Sequence, residues 1–252
     1  MSKHWPSRLW IVRHGESAGN VARDRADAAG LGRIDIGMRD VEVPLSSAGC
    51  DQARALGRWF ASQPADRRPE AVLASPYLRA RHTAELIAEA GGLAPDTPAH
   101  CIDERLRERE FGILDRLTRA GILEHFPEEA ERRTFLGKFY HRPPGGESWA
   151  DVILRLRSML DTLSLHHEGE RVLIVCHQVV VLCLRYLLEN LDETAILAID
   201  AEKDVSNCGV TEYELDPDRR NAMRLVRYNF VAPLLEAGAP VTTAPDANVA
   251  AR

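Results

Sequence analysis

The chain is predicted to fold as α/β, a three-layer α/β/α sandwich around a mostly parallel central sheet with inserted lid segments. Three observations carry this. Short apolar runs at residues 9–12, 71–74 and 172–176 have the length and composition of buried strands. Helical stretches separate them in alternation. Two long segments, residues 21–43 and 111–146, fit neither period and stand as insertions on the core.

In chain order, Leu9 to Val12 form the first strand and launch Arg13, His14 and Gly15 from its carboxyl end. Residues 46–60 read as a helix, with Ser46 as its cap and Ala53, Leu56 and Phe60 as its apolar face. Residues 71–74 are a short strand. Residues 77–90 are a helix closed by Gly91 and Gly92. Residues 147–167 carry Val152, Leu156, Met159 and Leu163 at helical spacing. Residues 172–176 are a third buried strand, followed by a buried helix at 179–188. Two late strands, 210–215 and 224–230, are joined by a Pro-Asp-Arg-Arg-Asn turn. The insertion at 21–43 is Gly- and Asp-rich. That at 111–146 holds a short helix and then Arg142-Pro143-Pro144-Gly145-Gly146. Insertions of this length on a compact core are usually functional loops or lids. From residue 239 the chain is Ala, Pro, Thr and Asp without periodicity. That predicts one domain over 1–238 and a disordered tail over 239–252.

A length of 252 residues suits one large domain or two small ones. The net charge of −6 argues against nucleic-acid binding, which wants a basic face. Five cysteines with no Cys-x-x-Cys pair suggest neither a disulfide framework nor a zinc ribbon. Cys176 and Cys183 lie in apolar runs and read as core. With no apolar leader at the N-terminus and no apolar run of about 18 residues, the expectation is a cytoplasmic protein without membrane association. Oligomeric state is not legible.

Arg13 can neutralise an anion, and Gly15 lets backbone amides approach it. The design recurs at Cys176-His177-Gln178, a second histidine at the end of a second buried strand. A third strand end leads into Ser75-Pro76-Tyr77-Leu78-Arg79, which sets Arg79 in the first turn of a helix at the same sheet edge. A guanidinium there can hold phosphate bidentately. Arg81 reads instead as solvent-facing. Further on, Glu104, Glu108 and Glu110 share a charged run, which taken alone is a solvated face.

These blocks resemble the histidine phosphatase superfamily, also called phosphoglycerate-mutase-like, over Arg8 to about Arg185. The resemblance implies that His14 is a nucleophile toward phosphorus and that Arg13, Arg79 and His177 bind the phosphoryl group. Leu106-x-Glu108-x-x-Phe111-Gly112 is similar to the family's acid block, making Glu108 the proton donor. Asn20 stands where the family has a polar side chain reaching phosphate, although it fits a helix cap equally well. Leu45-Ser46-x-x-Gly49-x-x-Gln52-Ala53 matches a structural segment. In this scheme His14 is kept neutral by its positive neighbours, including a cationic His177. Glu108 is partly buried with a raised pKa. No metal or cofactor is implied.

Gln178, where many members have glycine, resembles the fructose-2,6-bisphosphatase branch, as do residues 126–129 and 146–152. The same resemblance makes Gln178 a phosphate ligand and Lys138 a sugar-phosphate ligand. Arg119 and Trp149 replace tyrosines of that branch, and Thr134 and Leu182 replace two of its arginines. Arg132, Arg133 and Arg142 are the candidates to take over. The expectation is a metal-independent phosphomonoester hydrolase acting on a small phosphorylated metabolite, a sugar phosphate or bisphosphate. The alternatives are a phosphoglycerate mutase and a catalytically inactive phosphate-binding module.

Overall fold

The first strand, β1 (Arg8–Arg13), faces two cores at once, because side chains alternate along a strand. Leu9 and Ile11 enter one apolar cluster, and Trp10 and Val12 enter the other. The structure, a computed structural model, describes residues 4–93, 100–216, 218 and 222–243. After β1 come α1 (Ala18–Ala28), α2 (Ser47–Ser62), β2 (Ala71–Ala74), α3 (Leu78–Gly91) and β3 (His100–Ile102). Then follow α4 (Arg119–His125), α5 (Pro127–Tyr140), α6 (Trp149–His166), β4 (Arg171–Cys176), α7 (Gln178–Glu189) and α8 (Glu193–Glu202). The hairpin β5 (Val210–Leu215) and β6 (Met223–Phe230) and the short α9 (Ala232–Glu236) complete the fold.

The sheet order is β3-β2-β4-β1-β5-β6. The strands β3, β2, β4 and β1 run parallel, while β5 pairs antiparallel with β1 and β6 antiparallel with β5. On one face Leu56, Phe60 and Ile87 of α2 and α3 cover Val12 and Val175. On the other, Leu156, Met159 and Leu163 of α6 and the apolar run of α7 cover Ile11 and Ile174. This is the expected three-layer sandwich.

Register decides where the chemistry lies. The pairing of β1 with β4 aligns Arg13 with Cys176, so the two following residues, His14 and His177, leave adjacent strands at one level. The pairing of β2 with β4 aligns Ala74 with Val175, which brings Ser75 to the same edge. Three carboxyl strand ends therefore open onto one place, where α/β sheets hold ligands.

The two insertions meet each other there. Residues 21–43 take in most of α1, whose cap is Ser17, and a single 3₁₀ turn at Asp40–Glu42. Residues 111–146 contain α4 and α5, the latter broken at Gly137, whose φ is +78°. The backbone amide of Ile34 donates to Arg116 O at 2.9 Å, and that of Thr118 to Gly32 O at 3.1 Å. Leu114, Leu117, Ile122 and Ala130 give this layer a small core of its own.

Of the expected tail, residues 239–243 are held: Gln52 Nε2 donates to Pro240 O and Thr242 Oγ1, and the Asn207 amide donates to Thr242 O. Composition could not show these partners. Residues 244–252 lie outside the described residues, as does most of the Pro-Asp-Arg-Arg-Asn turn. No helix among the described residues is long and apolar enough to cross a membrane.

The loop after His14 is seated on the start of α2. A Cβ on Gly49 would stand 2.0 Å from Glu16 O, and one on Gly15 would stand 2.5 Å from Gly49 O. Both obstacles are backbone and cannot rotate away. Gly49→Ala is therefore expected to lower stability by about 1–3 kcal/mol, the usual range for overpacking. The urea midpoint measures it, and a wild-type midpoint would show that the loop yields freely.

Candidate active site

His14 is 3 % exposed and sits between two guanidinium groups. Its Nδ1 lies 2.7 Å from Gly15 O, and Arg79 Nε lies 3.3 Å from its Nε2. A carbonyl only accepts and a guanidinium only donates. The proton is thereby assigned to Nδ1, and the lone pair to Nε2. Burial first, then the charges of Arg79 and Arg13, hold the His14 pKa well below the ordinary histidine range. The imidazole is neutral near pH 7.

His177 packs edge-on against His14, with ring centroids 5.1 Å apart. It is fully buried. Its Nε2 lies 2.7 Å from Ser75 Oγ, and its Nδ1 lies 3.7 Å from Glu108 Oε2. The sequence Ser75, His177, Glu108 has the order of a nucleophile relay, but Ser75 is itself 0 % exposed. Its hydroxyl orients His177 from below. Burial, then Arg79 and His14, push the His177 pKa well down. The expected cationic His177 is thus corrected: with no solvent around the ring, desolvation dominates and the ring is neutral.

Glu108 is buried, and its Oε1 accepts the Arg109 amide at 2.8 Å. Arg155 of α6 fixes this segment through Arg105 O and Glu108 O, and it also pairs with Glu147. Arg13, His14, Asn20, Arg79 and Glu108 line one partly open cavity of about 80 Å³. Asp40, Arg23, Asp115 and Arg116 from the two insertions complete its wall. Among the described residues no three His, Cys, Asp or Glu side chains group as a metal site would require.

The profile of the histidine phosphatase superfamily (branch 1) matches residues 9–229. The chain belongs to that superfamily. It is 31 % identical over 211 residues to a bifunctional protein of Mycobacterium tuberculosis, covering 84 % of this chain and 51 % of that protein. It is 33 % identical over 194 residues to a 6-phosphofructo-2-kinase/fructose-2,6-bisphosphatase of Aquarana catesbeiana, covering 75 % of this chain and 34 % of that one. A 2,3-bisphosphoglycerate-dependent phosphoglycerate mutase of Methylorubrum extorquens is 30 % identical over 197 residues, covering 76 % of this chain and 84 % of that protein. The chain therefore spans about half the length of the first of these curated relatives. The fold is shared with a mycobacterial glucosyl-3-phosphoglycerate phosphatase solved with inorganic phosphate. There the TM-score is 0.67 and the identity 24 %, covering 90 % of this chain and 99 % of that one.

Within this histidine phosphatase superfamily member, the residues anticipated from sequence divide. Arg13, His14, Arg79, Glu108 and His177 come together. Asn20 lines the cavity, but its Oδ1 accepts from Ser17 N and Oγ, closing the capping box of α1. Gln178 lies outside the residues that line the cavity and supports Arg13. Its Oε1 accepts from Arg13 Nη1 at 2.9 Å and its Nε2 donates to Asp204 at 3.0 Å, so both ends of its amide are engaged.

Lys138 is likewise engaged elsewhere. It pairs with Asp200 of α8 and lies 5.3 Å from the Trp149 ring centre, outside the residues that line the cavity. Trp149 is core, not a sugar contact. Arg132 and Arg142 pair with Glu129 and Asp151, and neither they nor Arg133 lines the cavity. The cations added by the insertions are Arg23 and Arg116. Arg116 holds φ at +61°, rare for a side chain of that bulk. Nothing in the sequence marks it; only its partners, Ile36 O and Met38 O, do.

Proposed function

We propose that the chain is a phosphoric monoester hydrolase working through a phosphohistidine at His14. The observation that carries this is the His14 ring itself: neutral, with its Nδ1 proton committed to Gly15 O and its Nε2 lone pair aimed where Arg79 binds. In the first step Nε2 attacks phosphorus as the bond to the leaving oxygen breaks. That oxygen takes the electron pair, and protonated Glu108 supplies its proton. In the second step Glu108, now a carboxylate, takes a proton from water. The resulting hydroxide displaces Nε2, which recovers its lone pair. Arg13 and Arg79 balance charge on the phosphoryl oxygens throughout. Gln178 and Val205 O hold Arg13 for that task.

The proposed substrate is a small phosphorylated metabolite, a sugar phosphate or a phosphorylated acid. The 80 Å³ cavity is well below the roughly 300–1,000 Å³ of a ligand site, so it suits a phosphoryl group, with the remainder of a substrate at its open mouth against the insertions. Five free cysteines agree with a reducing, cytoplasmic setting. A small molecule, rather than nucleic acid or membrane, is the proposed partner.

A mutase is the second reading, favoured by the 84 % of the Methylorubrum mutase that the match covers. A panel of phosphomonoesters separates the two. Hydrolysis releases inorganic phosphate and leaves the carbon skeleton's remaining substituents in place, whereas a mutase yields the isomer. Turnover is expected to persist in excess chelator, because arginines supply the charge. Loss in chelator, restored by magnesium or zinc, would move that role to a metal.

A further inference from the structure

Arg79 is already occupied. Its Nη1 donates to Asp40 Oδ1 at 2.9 Å and to Asp40 O at 2.7 Å, and its Nη2 donates to Asp40 Oδ2 at 3.1 Å. Two carboxylate oxygens on a guanidinium fork reproduce the way two phosphate oxygens would bind it. We propose that Asp40 is an internal stand-in for the phosphoryl group, which the substrate must displace from Arg79. Its release opens the wall of the site formed by residues 36–42. This deepens the reading of Arg79 as a phosphate ligand and rests on it.

Three features favour displacement over a fixed structural pair. Arg79 is deep, with its side chain 7 % exposed, whereas the Asp40 side chain is 42 % exposed. The carboxylate can therefore leave into water while the guanidinium stays beside His14. Asp40 also stands on a single 3₁₀ turn, Asp40–Glu42, whose amide bonds are local, from Glu42 to Arg39 O and from Val43 to Asp40 O. Such a turn can tilt without breaking a sheet or helix.

Electrostatics makes co-occupancy unfavourable. A phosphoryl dianion beside Asp40 would crowd two anions onto one fork, with Asp115 and Glu108 on the same cavity wall. The charge of Asp40 already contributes to raising the Asp115 pKa, behind burial as the larger cause. The wall has a second tether. Arg116 donates to Ile36 O and Met38 O at 3.2 and 2.8 Å, so the segment is pinned on one side by Arg116 and on the other by Arg79. Releasing the Arg79 side frees one end and leaves the other as the pivot. Arrival of a phosphoryl group is thereby coupled to widening of the cavity mouth.

The test is calorimetric titration of inorganic phosphate into the full chain. Removing an internal competitor raises the fraction of molecules ready to bind, so Asp40→Asn is expected to tighten the phosphate Kd by about 10–100-fold. Glu42→Gln, on the same turn and exposed, should stay within about twofold of wild type. Hydrogen exchange across residues 36–43 should accelerate when phosphate saturates the wild type.

An unchanged or weaker Kd in Asp40→Asn would make Asp40 a fixed positioning residue and overturn the proposal. So would equal tightening in Glu42→Gln, or exchange that stays protected. Arg79→Ala separates the two levels. If it loses phosphate binding while Asp40→Asn gains none, only the stand-in is wrong. If it binds phosphate as wild type does, Arg79 is no phosphate ligand, and the site reading falls with the proposal.

Discussion

Replacing His14 by alanine is expected to lower turnover by on the order of 10⁴-fold or more, as removal of a covalent nucleophile does elsewhere. Far-UV circular dichroism and the urea midpoint should show the fold retained. The main-chain bonds of this residue, His14 N to Cys176 O and His14 O to Asn207 Nδ2, do not involve its ring. Wild-type enzyme quenched in turnover should carry phosphate that is stable in base and lost in acid, the behaviour of a phosphoramidate. The competing nucleophiles are specific. Ser75 is in contact with His177, and Cys176 lies one residue away. Ser75 is enclosed, and burial pushes the Cys176 thiol far up, so that it stays protonated. Label recovered on either would remove His14 from the reaction.

The part of this site visible in the sequence was the part built by the sheet. A run such as Val172 to Val175 is fully buried in a parallel sheet, and its apolar composition announces that burial. Whatever follows such a run stands at the carboxyl edge, which is why His14 and His177 were legible. Arg79 was legible because Ser75-Pro76 marks a helix start one turn before it.

Helices with little to bury were not visible. In α1 only Ala26 is buried, and in α8 only Ile196, so neither offered an apolar period. β3 is three residues long and, among the described residues, pairs with β2 alone. The engagement of Gln178 and Lys138 was not visible for a different reason. Their partners, Asp204 and Asp200, are 26 and 62 residues away. A motif match carries no information about which side chain across the fold will claim an amide or an amine. Asp40 and Arg116 are the extreme case: they lie in segments without periodicity, and only contacts across the fold, of Asp40 with Arg79 and of Arg116 with Ile36 O and Met38 O, set them at the candidate pocket.

Glu108→Gln tests the assignment that the sequence left most open. Glu104, Glu108 and Glu110 share one charged run, but their surroundings differ. Glu108 is buried beside His177 and lines the cavity. Glu110 is half out of the protein, near Arg107, and accepts from Tyr77 Oη. Glu104 opens an exterior 3₁₀ turn. Gln keeps the shape and the amide contact of Glu108 but can neither give nor take the proton.

The loss should depend on the leaving group. A sugar alkoxide needs protonation as it departs, so sugar-phosphate turnover should fall by roughly 10²–10⁴-fold. A nitrophenolate leaves with little help, so transfer from p-nitrophenyl phosphate to His14 should stay much closer to wild type. Water activation is lost as well, so the phosphohistidine should accumulate. Burst kinetics with p-nitrophenyl phosphate should then show a fast first turnover and a slow steady state. Glu104→Gln and Glu110→Gln should be mild with both substrates. If Glu108→Gln turns over the sugar phosphate normally while Glu110→Gln fails, the acid belongs to the exposed carboxylate that Tyr77 holds, and the buried one serves only to orient His177.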